Sequence, residues 1–300
     1  MHVLAAPLSR RHSRGFTLVE IMVGVAIGLI GIVAIFQAVA TWSKHTAATS
    51  SGGDAQVAGT LALFNIERDV KAAGHGFGRA TAPNMGCIVN ATDTTPGRVF
   101  NFQMAPVQIA AGAGGAPDQI TILYGDSSFH AGDDPNISTG SADFSAATAT
   151  SKTLLRRGGF KPGDFAIAAY NPGALPGSAQ CQLLQITADT NPDGRTVDHT
   201  TAPFTSFYTG GPAIASRFNS AVAPLAAGGK MYNLGPDPRL NVWSIQNNGR
   251  VLTQTDVIHN TAALQVAESV VNLKAEYGVD LDGNGTISAA EWVNAPPADW

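Results

Sequence analysis

Residues 16–36 form an almost unbroken apolar segment in which Glu20 is the only ionisable side chain. At about 1.5 Å of rise per residue, a helix of this length crosses a hydrocarbon layer of roughly 30 Å. A basic cluster, Arg10, Arg11, His12 and Arg14, precedes it and predicts a cytoplasmic N-terminus with the rest of the chain across the membrane. Because a carboxylate in such a segment costs free energy unless it is neutralised, Glu20 is a candidate functional residue.

Three interpretations fit this segment. A secretory signal would end at the A-x-A pattern Ala38-Val39-Ala40, but its apolar core would usually be shorter, about 7–15 residues, and would carry no acid. A simple membrane anchor explains the length and the basic flank but neither the glycine before the segment nor its acid. The third interpretation fits best, because the order GFTLVE at residues 15–20 resembles the processing site of type IV prepilins.

The resemblance implies how this segment is processed and used. A prepilin peptidase would cleave after Gly15, remove the basic leader and keep the apolar helix, and Phe16 would become the N-methylated first residue. Its new α-amine would be protonated at neutral pH, since the reference pKa is near 8. In that family the acid at the fifth mature position, here Glu20, pairs with the terminal amine of a neighbouring subunit. Within an apolar bundle such a pair costs far less free energy than either charge alone.

Composition sets further bounds on the chain of 300 residues, which has a net charge of -4 and 13% charged residues. No Lys/Arg-rich tract follows the N-terminus, so the sequence gives no support for nucleic-acid binding. Plentiful small residues favour a loop-rich β domain outside the cytoplasm. In that compartment Cys87 and Cys181 predict a disulfide, which would contribute about 4–5 kcal/mol by closing a long loop. Two separate buried thiols are the alternative.

A second helical section is predicted after the glycine pair at 52–53. Asp54 is a suitable N-cap, and Gly74 a suitable stop. The apolar side chains of this section predict a broad buried face, and they are Val57, Leu61, Leu63, Phe64, Ile66, Val70 and Ala73. The charged residues at 67–69 and 71 are predicted on the opposite, exposed side. The whole predicts one long helix with a bend near Gly52, its second half packed on a sheet.

The end of this helix resembles a more specific group. PilW-type minor pilins commonly have a similar Arg-Asp-apolar-basic ending with Ala-Gly, here ERDVKAAG at 67–74, followed by a glycine-rich loop and an early cysteine. They often place an Asp- and Gly-rich loop after a C-terminal Tyr-Gly strand, which Tyr277-Gly278 fits. Between these regions, strands are predicted at 119–124, 164–170, 181–187, 242–245 and 250–252, at Tyr232 and at 271–279, with a hairpin turn at 247–249. Loops at 131–151 and 200–229 are predicted to be exposed and poorly ordered.

Residues 280–291, DLDGNGTISAAE, match a calcium-binding loop position for position. The glycine at its sixth position permits the sharp turn. The predicted oxygen ligands are Asp280, Asp282, Asn284, the Thr286 carbonyl, a water held by Ser288, and Glu291. An Asp- and Gly-rich hairpin turn without metal is the alternative, and the incoming element is predicted to be a strand rather than the helix of an EF-hand. A bound Ca²⁺ would stiffen the loop and take no part in catalysis.

The sequence holds no recognisable catalytic motif, and isolated histidines such as His130 and His259 are more often structural, so we expect no enzyme. The expected architecture is α+β and type IV pilin-like, with a long helix on an antiparallel sheet. Its predicted parts are a leader (1–15), a membrane and assembly helix (16–53) and a periplasmic head (54–300).

The resemblance implies a minor pilin that is anchored in the inner membrane by a single pass and later enters the pilus. Its implied partners are other minor and major pilins, prepilin peptidase, the inner-membrane assembly platform and membrane lipid. A minor pseudopilin of type II secretion remains an alternative. So does a secreted calcium-stabilised binding protein or enzyme, which would require cleavage at Ala40.

Overall fold

The structure is a computed structural model with two compact units, Met1–Gln56 and Val57–Trp300. It describes residues 15–78, 80, 84–95, 97–127, 141–147, 150–154, 159–170, 180–189, 195–219, 229–246 and 250–295. The predicted leader at 1–15, apart from Gly15, and the predicted turn at 247–249 therefore lie outside the described residues. The described part is α+β, with one long N-terminal apolar helix followed by mainly antiparallel sheets.

Helix α1 runs from Leu18 to Ala72 as one element. This confirms the predicted single long helix, but the predicted start of a second helical section at Asp54 is wrong, because the helix continues through Gly52 and Gly53 without interruption. Each glycine lowers helix stability by about 1 kcal/mol, which the long flanking helix tolerates. The helix ends where predicted, and Gly74 follows with a φ of 80° that favours glycine. Its first part is long and apolar enough to cross a membrane.

Sixteen strands are present in the described residues. In chain order they are β1 (Ile88–Asp93), β2 (Arg98–Gln103), β3 (Val107–Ala110), β4 (Gln119–Tyr124), β5 (Ser141–Ala147), β6 (Ser151–Leu154), β7 (Phe165–Tyr170), β8 (Gln180–Gln185), β9 (Ala188–Asp189), β10 (Thr196–Asp198), β11 (Lys230–Gly235), β12 (Arg239–Gln246), β13 (Val251–Asp256), β14 (Leu264–Glu268), β15 (Tyr277–Gly278) and β16 (Trp292–Val293). Short 3₁₀ helices lie at Ala113–Gly115 and Ala289–Glu291.

The larger sheet has the strand order β2-β1-β8-β7-β11-β5-β6-β10-β9 among the described residues. Its neighbours are antiparallel except β1 and β8, which are parallel. Cys87, next to β1, and Cys181, on β8, form a disulfide at this parallel junction with both side chains fully buried. Phe77, Phe165, Leu183 and other buried side chains surround it. The cross-link thus joins the start of the head to a strand more than ninety residues later.

The smaller sheet has the order β14-β13-β12-β4-β3 and packs on the last turns of α1. The residues that contact its core are Ala58, Ala62, Ile66 and Asp69 of the helix and Ala73 directly after it. The predicted helix face is therefore wrong in part. Its larger residues Val57, Leu61, Leu63, Phe64 and Val70 are 43–66% exposed, whereas Asp69, predicted on the exposed side, is 1% exposed. Alanines allow the helix backbone to lie close to the sheet, and this close approach selects the buried face.

The last predicted strand, 271–279, is also wrong in extent, because only Tyr277 and Gly278 form a strand. Residues before them cross the β3–β4 hairpin, where the Lys274 ammonium donates to Asp118 at 2.8 Å and the Asp118 N–H donates to the Leu273 carbonyl. These contacts hold the segment before Tyr277 in place of the strand-to-strand hydrogen bonds that a longer strand would make. The expectation of poor order fails at 201–219, where Phe204 pairs with Ile214 and Phe218 is buried.

Candidate functional site

The N-terminal motif lies at the start of α1. Gly15, Phe16 and Thr17 precede the helix, and the Phe16 side chain is 79% exposed. A Cβ added at Gly15 would meet no atom within 4 Å. The peptide bond after Gly15 therefore lies in an open, non-helical segment.

Glu20 takes part in a reciprocal cap of this helix start. The Glu20 N–H donates to the Thr17 hydroxyl at 3.3 Å, and the Thr17 N–H donates to the Glu20 carboxylate at 3.4 Å. This is a capping box, and it satisfies two backbone N–H groups that the helix leaves without partners. Sequence reasoning missed the role of Thr17, although the T-x-x-E spacing signals it. The carboxylate is thereby held one residue from the amine that cleavage before Phe16 would create.

Asp69 fixes the other end of α1 to the smaller sheet. Its carboxylate accepts hydrogen bonds from Asn241 Nδ2 at 2.8 Å, Trp243 Nε1 at 3.0 Å and the Tyr124 hydroxyl at 3.2 Å. Next to this carboxylate, burial raises the pKa of Tyr124 to about 12, and the negative charge of Asp69 adds to the shift. A buried carboxylate is tolerated only when its oxygens are well hydrogen-bonded, so this cluster fixes where the helix meets the sheet.

The acidic loop closes between β15 and β16. One carboxylate oxygen each of Asp280, Asp282 and Glu291 lie within 4.8 Å of one another. Asp280 accepts the N–H groups of Gly283 and Gly285, both at 2.8 Å. Hydrogen bonds from backbone N–H groups, chiefly that of Gly285, lower the pKa of Asp280. The loop therefore gathers ionised oxygen ligands, the donor type that Ca²⁺ requires.

The remaining predicted ligands take part in hydrogen bonds within the loop itself. The Asn284 side-chain oxygen accepts from the Thr286 N–H at 2.8 Å, and its amide nitrogen donates to Asp282. Ser288 and Glu291 form a second capping box on the short 3₁₀ helix. The Ser288 N–H donates to Glu291 at 2.7 Å and lowers the pKa of this carboxyl. The structure thus brings three of the predicted ligands, the carboxylates of Asp280, Asp282 and Glu291, together.

The Tyr-Gly pair before this loop has a packing role, because there is little room for a side chain at Gly278. A Cβ there would lie 3.3 Å from Ile287 and 3.4 Å from the Trp292 ring. The Tyr277 hydroxyl accepts the Ile109 N–H of β3 at 2.6 Å. The pair therefore joins the acidic loop to the edge of the smaller sheet while leaving room for two loop side chains.

A buried histidine of the head, His199, is paired with a buried lysine. His199 is fully buried, and its Nε2 lies 2.7 Å from the ammonium nitrogen of Lys152, which is also fully buried. Burial lowers the pKa of Lys152 to about 8. Burial, together with this ammonium, lowers the pKa of His199 to about 3. The pair lies on β6 and just after β10, away from the acidic loop and the helix start in sequence, so we assign it no role in either.

Comparison with known proteins supports the significance of the N-terminal motif. Residues 10–36 match the family model of the prokaryotic N-terminal methylation motif. The chain carries a prepilin-like N-terminus. This motif supports the class of type IV pilins and pseudopilins, whose members are processed by prepilin peptidase and assemble with pilins. It fits a protein that is anchored in the inner membrane and later incorporated into pili. No curated protein and no solved structure matches the chain.

Proposed function

We propose that this chain is a minor pilin of the PilW type, a structural subunit that primes or supports assembly of a type IV pilus and has no catalytic activity. The observation that carries the proposal is the methylation motif at an open, capped helix start that leads into an exposed apolar helix. The PilW assignment rests on the helix ending at 67–74, the early Cys87 and the Tyr277-Gly278 pair before the acidic loop.

In this proposal the head lies in the periplasm before assembly, and prepilin peptidase removes residues 1–15. The apolar residues of α1 then leave the lipid and pack against the helices of neighbouring pilins. Glu20 exchanges its cap on Thr17 for the terminal amine of a neighbouring subunit, which neutralises both charges within the bundle. The inner-membrane assembly platform and the other minor and major pilins are the proposed partners.

Variants of the capping box test the role of Glu20. Glu20→Gln keeps a side chain that can cap the helix but removes the charge, and Glu20→Ala removes both. We expect both proteins to insert into the membrane normally and to be depleted from sheared pili, as measured by immunoblot against whole cells. Thr17→Ala weakens the cap by about 1 kcal/mol but keeps the acid, and should enter pili.

The matched control is Glu67→Gln, because Glu67 is an exposed acid of the same helix that pairs with Lys71. Normal incorporation of Glu20→Gln would remove the charge from the assembly mechanism. Deletion of the gene separates the two filament systems: loss of surface pili supports a pilin, whereas loss of protein secretion with pili intact supports a type II secretion pseudopilin.

We also propose that the acidic loop binds one Ca²⁺ as a structural ion. The ligands would be Asp280, Asp282, Asn284, the Thr286 carbonyl, a water on Ser288, and Glu291. The clustering of three of these carboxylates and the lowered pKa values of Asp280 and Glu291 support this proposal. By neutralising those charges, the ion would stiffen the link between the loop and the smaller sheet.

Thermal unfolding of the full chain in detergent, with chelator or with millimolar Ca²⁺, tests the site. Calcium should raise the melting temperature, since a ligand that binds only the folded state stabilises it. Asp280→Asn should abolish the increase, while Asp237→Asn, a change at an acid outside the loop, should keep it. An equal melting temperature with and without calcium would reject the metal site and leave the proposed pilin role intact.

A further inference from the structure

A cavity of about 560 Å³ lies beside the last turns of α1, outside the motif and the acidic loop. It is lined by Arg68 of the helix, by Tyr124, Asn241 and Gln254 of the smaller sheet, and by Leu264 of β14. Leu264 is 62% exposed and belongs to the last strand of that sheet. The cavity therefore reaches the edge of the sheet, where a second molecule can approach it.

One cation of the cavity, Arg68, has no hydrogen-bonded anion among the described residues. Arg239 donates to Asp256 at 3.0 Å and also to Asp237, and Asp256 lies 2.7 Å from His259 Nδ1, so Arg239 and Asp256 already have hydrogen-bond partners. Among the described residues, the charged contact of Arg68 is with Asp69 at 3.8 Å.

That contact is longer than a hydrogen bond, and Asp69 already accepts from three closer donors. The Arg68 side chain is 63% exposed. Its guanidinium is therefore free to bind a carboxylate with two parallel hydrogen bonds.

The groups around Arg68 strengthen this preference. The Thr261 hydroxyl accepts the Asp256 N–H at 3.0 Å, which leaves its own hydrogen to donate. The Gln254 amide makes only a long contact of 3.4 Å with Asp69. Both residues line the cavity. Among the described lining residues, Arg68, Thr261 and Gln254 thus offer donors with weak or no hydrogen bonds of their own, while the Asp256 carboxylate is already bonded, and these available donors fit an anionic group.

The strand at the cavity mouth determines the kind of ligand. β14 pairs with β13 on one side, and no described strand pairs with its other side. The strand contains no proline or lysine, the residues that often protect an edge from pairing. Its only charge, Glu268, lies at the end away from the cavity. An extended peptide could add to this edge through main-chain hydrogen bonds and direct one side chain into the neighbouring pocket.

We propose that the β14 edge and the Arg68 cavity together bind an extended acidic segment of a second pilin-type subunit. The segment adds as a strand beside β14, and a glutamate or aspartate near Leu264 enters the cavity and pairs with Arg68. The identity of the partner rests on the proposed function, whereas the recognition chemistry rests on the cavity alone. This contact would give a minor pilin a way to choose its neighbour that is separate from the apolar helix.

Two labelled peptides test the proposal with the full chain in detergent. The first is acetyl-Thr-Val-Glu-Val-Thr-amide extended by a fluorescent lysine, and the second replaces its glutamate with glutamine. By fluorescence anisotropy we expect the glutamate peptide to bind at least tenfold more tightly. Arg68→Gln should make the two affinities equal, and Leu264→Asp, which places a negative charge at the mouth, should weaken the glutamate peptide about tenfold.

The control is Lys71→Gln, since Lys71 is an exposed cation on the same helix that pairs with Glu67 and does not line the cavity. It should keep the preference for glutamate. Equal affinities for the two peptides, or an equal loss in Lys71→Gln and Arg68→Gln, would overturn the proposal. Because the assay does not depend on piliation, its failure leaves the minor pilin role standing, and loss of that role leaves this binding result unchanged.

Discussion

Replacement of Asp69 should be the most damaging single change in the contact between the helix and the head. The carboxylate accepts three hydrogen bonds between 2.8 and 3.2 Å from side chains of two strands. Bonds to a charged group contribute about 1.5–3 kcal/mol each, and they are not additive. Asp69→Ala leaves the buried Trp243 N–H and the Tyr124 hydroxyl without an acceptor, and leaves Asn241 Nδ2 with only the Tyr124 hydroxyl at 3.2 Å, so we expect the free energy of unfolding to fall by about 3–5 kcal/mol.

Asp69→Asn should cost less, about 1–2 kcal/mol, because one neighbour can adapt. The side-chain oxygen of Asn241 is buried without a hydrogen-bond partner. A rotation of this amide would present that oxygen to the new Asn side chain. Asp69→Asn should therefore retain most of the stability that Asp69→Ala loses.

Urea unfolding of the full chain in detergent, followed by tryptophan fluorescence, measures both changes, since Trp243 contacts Asp69 directly. The control is Glu67→Gln, whose side chain is 59% exposed and which should change the free energy of unfolding by less than about 1 kcal/mol. A loss below about 1 kcal/mol for Asp69→Ala, or a larger loss for Asp69→Asn than for Asp69→Ala, would refute this reasoning.

Two further predictions concern the head. Cys181→Ser opens a loop with a sequence separation of 94 and should lower the free energy of unfolding by about 4–5 kcal/mol in non-reducing urea titrations, while leaving the value in reductant nearly unchanged. For His199, the folded pKa of about 3 lies below the ordinary 6.5, so the unfolded state binds the proton first and stability falls as the pH drops below 6.5. Between pH 6.5 and pH 5 this amounts to about 2 kcal/mol. His199→Gln, which still accepts from Lys152 but does not titrate, should lose that much less over the same range, and parallel pH profiles would contradict the assignment.

Local patterns in the sequence anticipated the parts of the structure that depend on neighbouring residues. The apolar run after Gly15 forms the predicted helix, and the β-branched pattern at 119–124 forms β4 with the predicted bounds. Gly74 ends the helix as expected, because a positive φ is a property of the residue itself. The clustering of three carboxylates at 280–291 also follows from spacing within one loop.

Features that depend on distant residues could not be read in this way. Asp69 lies among charged neighbours in the sequence, and its buried position depends on donors from Tyr124, Asn241 and Trp243, which belong to strands far along the chain. Lys152 is buried for a similar reason. The sequence predicts Val57, Leu61 and Phe64 in the core although they are exposed, because hydropathy alone cannot separate a face that packs on the sheet from one that stays exposed.

The central claim is that the apolar helix is retained in the mature protein and starts at Phe16. Mass spectrometry of the N-terminal peptide, taken from pili sheared from cells, tests it most directly. The account predicts a peptide that begins with Phe16 and carries one methyl group on its amine. A mature protein that begins at Thr41, without the apolar helix, would contradict it.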